Sequence, residues 1–332
     1  MKMRKIVCSF MISVVCFMTA ISGVSATSYD TSKINAAYSK VVEYYKNNNN
    51  LNNADKILAV ESLGLEAESN QFDTSSADLS STSLSKKIVT EVLLGVDPTE
   101  DKKTLESQID ENGNVEGSWG ASSDVWTLYA LYVTSSEKTN LIANKLNDEL
   151  AASSVCGYEW GGTYYADYDT TGWVIEGLAV VNKEKYATTI NKAIDYIKNN
   201  TTMTTTGWVT ADNVDTQSQV LEGMFAYDTN ALLNDSYTVH PVDCLLNTQL
   251  SDGSFPSGYN AEYTTAEVAK TLGTYKNGSV IIKAKKAYDK MMNPEQPDNT
   301  KPAQPTDTKK DSQSTNKVET TNQKTTSVKT GD

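Results

Sequence analysis

Four segments of the chain repeat one pattern at a nearly constant spacing. Each is a loop with glycine and an aromatic residue that leads into a short apolar helix pattern, and the clearest copy is residues 157–181, GYEWGGTYYADYDTTGWVIEGLAVV. When Asp124, Asp169, Asp215 and Tyr263 are taken as equivalent, the steps are 45, 46 and 48 residues. A period of this size predicts stacked units of two helices, because no such unit can bury its apolar face alone.

Apolar periodicity predicts about twelve helices in six pairs between residues 27 and 292. One helix of a pair is apolar nearly all round and the other is amphipathic, which indicates buried helices walled by half-exposed ones. This alternation favours a closed double ring over an open superhelical stack, which would need polar caps that the sequence does not show. The predicted helices cover residues 34–46, 54–65, 84–96, 102–109, 125–134, 138–152, 173–181, 186–198, 217–227, 237–250, 264–275 and 279–292.

Both ends of the chain differ in composition from the repeats. A basic start at residues 2–5, an apolar run from Ile6 to Ile21 and the small residues before Thr27 predict a secretory signal peptide over residues 1–26, cleaved after Ala26. Residues 293–332 contain no aromatic residue and four of the seven prolines, so they predict a disordered stalk. We therefore expect an exported protein.

The last residues, 327–332, read SVKTGD. They resemble the sortase sorting signal, which is cut between Thr and Gly, and this resemblance would place a wall linkage at Thr330. The apolar span and basic end of that signal are missing, so the match is either a truncated signal or chance. The first reading predicts a location outside the cell, attached to the peptidoglycan of a Gram-positive wall.

Charge and cysteine content limit the partners. Removal of three basic residues with the signal peptide takes the formal net charge from −13 to −16 (−13 − 3), which argues against nucleic acid and anionic lipid as partners. No second apolar run is long enough to cross a bilayer. Of the cysteines, Cys156 and Cys244 remain, and two repeat periods place them about 20 Å apart, so we expect buried free thiols in a monomer.

A family resemblance rests on three segments. Leu245-x3-Gln249-x3-Gly253-Ser254-Phe255, Trp119 in EGSWG and LLGVDPTE at residues 93–100 resemble the repeat of the prenyltransferase and squalene-oxidase family. The resemblance implies an all-α fold, an (α/α)6 toroid of about six helix pairs over residues 27–292, as in terpenoid cyclases and protein prenyltransferase β-subunits. In that family the loop aromatics, here Trp119, Trp160, Trp208 and Phe255, brace the joints between repeats, and stacking against a ligand is the alternative role for them.

Two catalytic motifs of related toroids are incomplete in this chain. Residues 167–171, DYDTT, resemble the D-x-D-D-T acid motif of class II terpene cyclases, but Thr170 stands where the third Asp is needed. Asp169 is also open to a plainer reading as a helix cap, shared with Asp124 and Asp215. The single histidine, His240, lies beside Asp243 and Cys244 without the spacing of the prenyltransferase zinc site. We expect no metal, no cofactor and no assignable catalytic residue.

Acidic and aromatic residues mark a candidate ligand site. Glu176, Glu222 and Glu267 recur at steps of 46 and 45 on the apolar helices, where they either line a wet central cavity or pair with lysines such as Lys270. A denser acidic and aromatic cluster precedes the first of these helices and suits a sugar or a hard cation such as calcium. The candidate ligand-binding residues are Glu159, Tyr164, Asp167, Tyr168, Asp169, Trp173, Glu176, Glu222 and Glu267, with Tyr165 in the same cluster.

Three functions fit these observations. The first is a surface module that holds a small molecule or glycan in its central mouth. The second is an extracellular enzyme of the terpenoid-cyclase or glycan-active type, and the third is a scaffold for protein interactions. The sequence determines the architecture better than the chemistry, because function depends on the site and not on the fold.

Overall fold

A computed structural model of the chain describes residues 29–68, 80–200, 213–237 and 239–294. The predicted signal peptide with Ala26, the predicted stalk beyond Pro294 with Thr330, and Trp208 lie outside these residues. The described part contains eleven helices and one hairpin. They are α1 (Thr31–Asn47), α2 (Ala54–Ser62), α3 (Ser81–Leu93), α4 (Thr99–Ser107), α5 (Ala121–Val133), α6 (Thr139–Ser153), β1 (Gly157–Trp160), β2 (Thr163–Ala166), α7 (Tyr168–Asn200), α8 (Val214–Asn234), α9 (Pro241–Leu246), α10 (Ala261–Asn277) and α11 (Val280–Met292).

The helices confirm the all-α prediction, with two local differences. The hairpin β1–β2, antiparallel with Gly157 opposite Ala166, lies where a loop was expected. The helix predicted over residues 237–250 is also wrong in extent, because α9 spans only Pro241–Leu246. None of the described helices is long and apolar enough to span a membrane.

Two long helices are each divided by a single residue. The backbone of Asn182 is extended inside α7 (φ −166°, ψ 91°), and Asp228 does the same inside α8 (φ −157°, ψ 91°). Each side chain then caps the second segment: Asn182 Oδ1 accepts from the Lys185 N–H at 3.0 Å, and Asp228 Oδ1 accepts from the Ala231 N–H at 2.9 Å. One residue therefore ends one helix and starts the next without a loop.

Six helices carry most of the buried residues. They are α2, α3, α5, the first segment of α7 (168–181), the first segment of α8 (214–227) and α10, and we call them the buried helices. Each contacts two others in a cyclic order: α2 with α3, α3 with α5, α5 with α7, α7 with α8, α8 with α10, and α10 again with α2. Contacts between elements far apart in sequence thus close the series.

Five of the buried helices run parallel. Along each neighbouring pair, a contact early in one helix is made with an early residue of the other, and a later contact with a later residue. Between α5 and α7 these contacts are Trp126–Trp173 and Tyr129–Glu176, and between α7 and α8 they are Asp169–Thr216 and Gly172–Gln219. Between α8 and α10 they are Gln219–Glu267 and Glu222–Lys270, and between α2 and α10 they are Lys56–Glu262 and Ser62–Ala269. Their N-terminal ends consequently lie together, at what we call the mouth end. The opposite end is the base.

The remaining helices pack around the buried ones, and α11 contacts α2, α3, α5 and α10. At the base, Lys283 of α11 pairs with Glu61 at 2.6 Å, and the hydroxyl of Ser279, which caps α11, donates to Glu176 Oε1 at 2.6 Å. Several base connections are short, namely residues 134–138, Asn182, Asp228 and residues 278–279, although 18 residues, 63–80, join the base end of α2 to α3. At the mouth end the connections 108–120, 154–167 and 247–260 are long. The two ends of the molecule therefore differ in how the chain turns.

Candidate ligand site between the buried helices

Four neighbouring buried helices place equivalent side chains at three depths below the mouth. Within each helix the three positions are separated by four and then three residues, so they lie on one face. The upper level is Ser122, Asp169, Asp215 and Tyr263, the middle level is Trp126, Trp173, Gln219 and Glu267, and the lower level is Tyr129, Glu176, Glu222 and Lys270. The side-chain contacts between neighbouring helices that are described next join residues of the same level, which supports this register.

The lower level is a buried polar network. The Tyr129 hydroxyl donates to Glu176 Oε2 at 3.0 Å and lies 2.8 Å from the Trp173 carbonyl oxygen. Lys270 Nζ lies 3.9 Å from Glu222 Oε2 and 3.0 Å from Glu267 Oε2 in the level above. All of these carboxylates are almost fully buried. Charged groups, and not aliphatic side chains, therefore fill the centre between the helices.

Burial changes the titration of these groups. It raises the pKa of Glu176, although hydrogen bonds from Ser279 and Tyr129 and the charge of Lys270 oppose this effect. Burial also raises the pKa of Glu222 well above its ordinary value. For Lys270, burial would lower the pKa, but the negative charges of Glu267 and Glu222 outweigh it and keep the ammonium charged. The lysine is the counter-ion that the buried carboxylates require.

The middle level receives side chains from all six buried helices. Gln219 Nε2 donates to Glu267 Oε2 at 3.2 Å, and the rings of Trp126 and Trp173 are 6.1 Å apart. From α2 and α3, Asp55 and Lys86 pair at 2.8 Å, and Lys86 Nζ lies 4.5 Å from the centre of the Trp126 ring. Asp55, Lys86 and Trp173 remain partly exposed, so solvent reaches this level, which we call the floor of the site.

The upper level is acidic. Burial raises the pKa of Asp169 from 3.8 to about 6, against a hydrogen bond from Thr216, and the nearby charges of Asp167 and Asp215 add to the increase. Burial likewise raises the pKa of Asp215, which accepts hydrogen bonds from Thr264 and Tyr259. The two carboxyl groups are thus close enough to affect each other, and both stand above the floor.

Several buried polar atoms of the site have no hydrogen-bond partner among the described residues. In the middle level they are Trp173 Nε1, Gln219 Oε1 and Glu267 Oε1, in the lower level Glu222 Oε2, and in the upper level Asp215 Oδ1. A buried polar group without a partner costs about 1–3 kcal/mol, so five such atoms on neighbouring helices require an explanation. Four of the atoms are oxygens that accept hydrogen bonds and one is a nitrogen that donates.

The structure brings together five of the predicted site residues: Asp169, Trp173, Glu176, Glu222 and Glu267. The assumed repeat frame was wrong in two places. Asp124 is not the equivalent of Asp169, because it accepts from Ser118 at 2.6 Å and pairs with Lys145 of α6 at 2.8 Å, away from the centre. Glu222 is matched by Lys270, while Glu267 lies one helical turn higher, beside Gln219.

The prediction that Asp124, Asp169 and Asp215 cap their helices is also wrong. Asp167 caps α7, since its Oδ1 accepts from the Thr170 N–H at 3.1 Å and its Oδ2 from the Thr170 hydroxyl at 2.7 Å. Asn213 caps α8 by accepting from the Thr216 N–H at 3.0 Å. Asp169 and Asp215 therefore do not cap these helices. Asp167, which was predicted to bind a ligand, is the residue that caps α7.

The other predicted residues lie near the site or outside it. The Tyr164 hydroxyl donates to the Val155 carbonyl at 2.8 Å, Tyr168 is partly buried at the start of α7, and the side chains of Glu159 and Trp160 lie outside the described part of the chain. Phe255 is fully buried, as expected for a brace, whereas the same prediction for Trp119 is wrong because this side chain is 89% exposed.

Sequence reasoning did not identify Asp55, Lys86, Trp126 and Gln219. The signal that could have found Trp126 and Gln219 is their spacing from the upper level, four residues after Ser122 and Asp215. Asp55 and Lys86 have no such signal, because the repeats that carry them lack the loop pattern. Their place in the site follows only from the closed order of helix contacts.

His240 has a structural position. Its Nδ1 accepts from the Val242 N–H at 3.3 Å at the start of α9, and its ring packs against Tyr29 and Tyr237. Asp243 pairs with Tyr29 and Lys33. Among the described residues no group of three His, Cys, Asp or Glu side chains is arranged to hold a metal ion. Cys156 and Cys244 are buried free thiols.

Comparison of the chain with known protein families, with curated proteins and with solved structures finds no match.

Proposed function

We propose that residues 27–292 form an (α/α)6 toroid related to the prenyltransferase and squalene-oxidase repeat proteins, and that its mouth binds a hydroxyl-rich small molecule, a saccharide in the first place. The cyclic order of helix contacts and the parallel direction of five buried helices support the toroid. They do not themselves identify a ligand, because toroids of this kind carry unrelated functions.

The set of unpartnered polar atoms supports a saccharide. Gln219 Oε1 and Glu267 Oε1 require donors, and Trp173 Nε1 requires an acceptor. A hydroxyl group supplies both, whereas an ammonium ion supplies donors alone. A terpenoid hydrocarbon supplies neither, and it would bury the charges of Lys270 and Glu267 against an apolar surface.

The proposed location follows from the two ends of the sequence. A signal peptide ending at Ala26 would export the chain, and a sorting signal at Thr330 would attach it to peptidoglycan. N-terminal sequencing of the protein recovered from the medium or cell wall should begin at Thr27. An unprocessed N-terminus on a cell-associated protein would contradict export by cleavage.

Binding experiments test the ligand assignment. We would titrate the protein with glucose, galactose, N-acetylglucosamine and their disaccharides in a calorimeter. Trp173→Phe, which keeps the ring and removes the donor, and Glu267→Gln should each weaken binding about tenfold, equivalent to about 1.4 kcal/mol. Asp243→Asn, in an ion pair outside the site, is the matched control and should bind like the wild type. No heat with any sugar, or wild-type affinity in both site variants, would disprove the assignment.

A glycan-active enzyme is the second candidate, and the upper level is the observation that favours it. Two carboxyl groups, one with its pKa raised to about 6, are the groups that acid–base cleavage of a glycosidic bond requires. A disaccharide that binds should then be hydrolysed, with turnover lost in Asp169→Asn. Binding without release of reducing ends favours the binding module.

A further inference from the structure

Exposed aromatic side chains are concentrated at the mouth end. Among the described residues, the loops before α5, α7 and α10 hold six exposed large hydrophobic side chains, and five of these are aromatic: Trp119, Tyr158, Tyr164, Tyr165 and Tyr259, with Leu250 as the sixth. Such exposure is unfavourable by about 25 cal/mol per Å² of apolar surface, so a group of this size marks an interaction surface.

Trp119 is held outward by an ordered turn. Its backbone N–H donates to Ser123 Oγ at 3.1 Å, and the preceding Ser118 hydroxyl donates to Asp124 Oδ1 at 2.6 Å. Gly120, at φ +100°, adopts a backbone conformation that other residues rarely tolerate. The turn is thus fixed by the start of α5, while the indole ring itself is 89% exposed.

The hairpin presents a second aromatic surface. Tyr158 and Tyr165 are a cross-strand pair whose rings stack at 5.6 Å and 19°, and both remain largely exposed. On α10's loop, Tyr259 is 74% exposed, its ring lies 6.2 Å from Tyr263, and its hydroxyl bonds to Asp215 of the upper level. Tyr259 therefore connects the rim of the mouth to the site.

We propose that Trp119, the Tyr158–Tyr165 pair and Tyr259 are stacking platforms for a neutral polysaccharide chain that crosses the mouth. The inference rests on the proposed function, in that one sugar unit of the chain occupies the mouth. Tyrosine and tryptophan offer an apolar face with a polar edge, which matches the C–H face and hydroxyl rim of a pyranose ring. The acidic formal net charge, −13 for the whole chain, disfavours an anionic polymer.

The positions of the platforms require a chain and not a single sugar. In the cyclic order, α5 and α10 are three helices apart, so Trp119 and Tyr259 stand on opposite sides of the mouth. Packed helix axes lie about 10 Å apart, which separates opposite members of a six-helix ring by about 20 Å. Only a ligand of several sugar units contacts both. Leu250 is the single large aliphatic side chain exposed in these loops among the described residues, so this surface is aromatic and not broadly apolar.

Titration with oligosaccharides of one to six units tests the inference. The probes are β-1,4-linked glucose and β-1,4-linked N-acetylglucosamine, with polygalacturonate as the anionic comparison. The wild type should bind the hexamer at least tenfold more tightly than the monomer, and it should not bind polygalacturonate. Trp119→Ala and Tyr165→Ala should each lose at least fivefold in affinity for the hexamer and leave the affinity for the monomer within twofold. Ile282→Ala, which removes an exposed side chain of α11 at the base, is the control.

The outcomes separate this inference from the proposed function. If the monomer binds but the hexamer binds no better, or if both rim variants bind the hexamer like the wild type, the platforms are disproved and the mouth assignment stands. If the hexamer binds and depends on Trp119 while Glu267→Gln has no effect, the mouth assignment fails. Absence of binding to either series by the wild type disproves both. Circular dichroism identifies a variant that has not folded, and Tyr158→Ala then replaces it in the comparison.

Discussion

At the scale of single residues, Lys270 is the side chain on which the buried charges depend. It is 3% exposed and pairs with both Glu267 and Glu222. Lys270→Met should lower the free energy of unfolding by about 3–5 kcal/mol, because the carboxylates lose their counter-ion. Urea unfolding at pH 7 measures this loss, which should be smaller at pH 5, where the unpaired carboxylates take up protons.

The control for this prediction is Lys285→Met, which removes a lysine from a partly exposed pair with Asp289 on α11. It should change stability by less than about 1 kcal/mol. The double variant Lys270→Met with Glu267→Gln should recover part of the loss. Equal stability of the Lys270→Met and Lys285→Met variants would show that Lys270 is hydrated and not buried.

Asp169→Asn should stabilise the protein at neutral pH while weakening sugar binding. The folded-state pKa, about 6, lies above the ordinary value of 3.8, so the native carboxyl holds its proton where the unfolded one has lost it. The contribution of Asp169 to stability is therefore fully present below about pH 4 and is lost as the pH rises through about 6. Asp169→Asn has no proton to lose at this position. Its free energy of unfolding should exceed that of the wild type by about 1–2 kcal/mol at pH 7 and equal it near pH 4.

Thermal unfolding at both pH values checks this sign, with Asp252→Asn as a surface control whose carboxyl is exposed. A variant that is less stable than the wild type at pH 7 would contradict the proposed burial. A more stable protein that binds its ligand less well is the usual sign of a carboxylate kept for function.

The sequence located part of the site but could not orient it. The period of the repeats pointed to Asp169, Glu176 and Glu222, which the structure brings together, because the spacing of buried helices is recorded in the spacing of apolar patterns. It could not show which polar residue of a first helical turn faces the centre. Successive residues are rotated by about 100°, so the step from Ser122 to Asp124 turns a side chain to the opposite side of α5.

At the scale of elements, the contact between α7 and α8 depends on two glycines. A Cβ atom at Gly172 would lie 2.3 Å from the Gln219 carbonyl oxygen, and one at Gly223 would lie 2.2 Å from the Gly172 oxygen. Gly172→Ala and Gly223→Ala should therefore each lower the free energy of unfolding by about 2–3 kcal/mol, because the backbones must separate. Denaturant unfolding measures the effect.

Gly258→Ala is the matched control, since nothing lies within 4 Å of its added Cβ atom. This substitution should leave stability within about 0.5 kcal/mol. A similar small effect at Gly172 would mean that the two helices are not packed this closely in solution.

Helices were predictable from the sequence where apolar periodicity is strong. Elements whose extent is set by individual hydrogen bonds or ring contacts were not. The hairpin lacks an alternating pattern, and tyrosine pairing across its strands shapes it. The helix expected over residues 237–250 ends at Leu246 because the chain must turn there. Gln249 Nε2 donates to the carbonyl oxygens of Ala37 at 3.0 Å and Gly253 at 3.2 Å, so a long-range contact with α1 holds this turn in place.

At the scale of the whole molecule, the cyclic order of contacts predicts uniform protection of the buried helices. In an open stack the terminal pair unfolds first, whereas a closed ring has no terminal pair. Hydrogen exchange followed by mass spectrometry should therefore show amides of α2 and α10 exchanging as slowly as those of α5 and α7. The amides of α4, on the outside, provide the faster reference. Protection that decreases steadily toward α2 would support the open stack instead.

The single-residue corners at Asn182 and Asp228 affect where the helical domain can accept insertions. A corner that caps the next helix with its own side chain leaves no room for insertions, and two further base turns, residues 134–138 and 278–279, are short. The long loops at the opposite end accept new residues more readily, and there they would alter what the mouth recognises without disturbing helix packing. Libraries for changed specificity should therefore be built in residues 108–120, 154–167 and 247–260, with the base left constant.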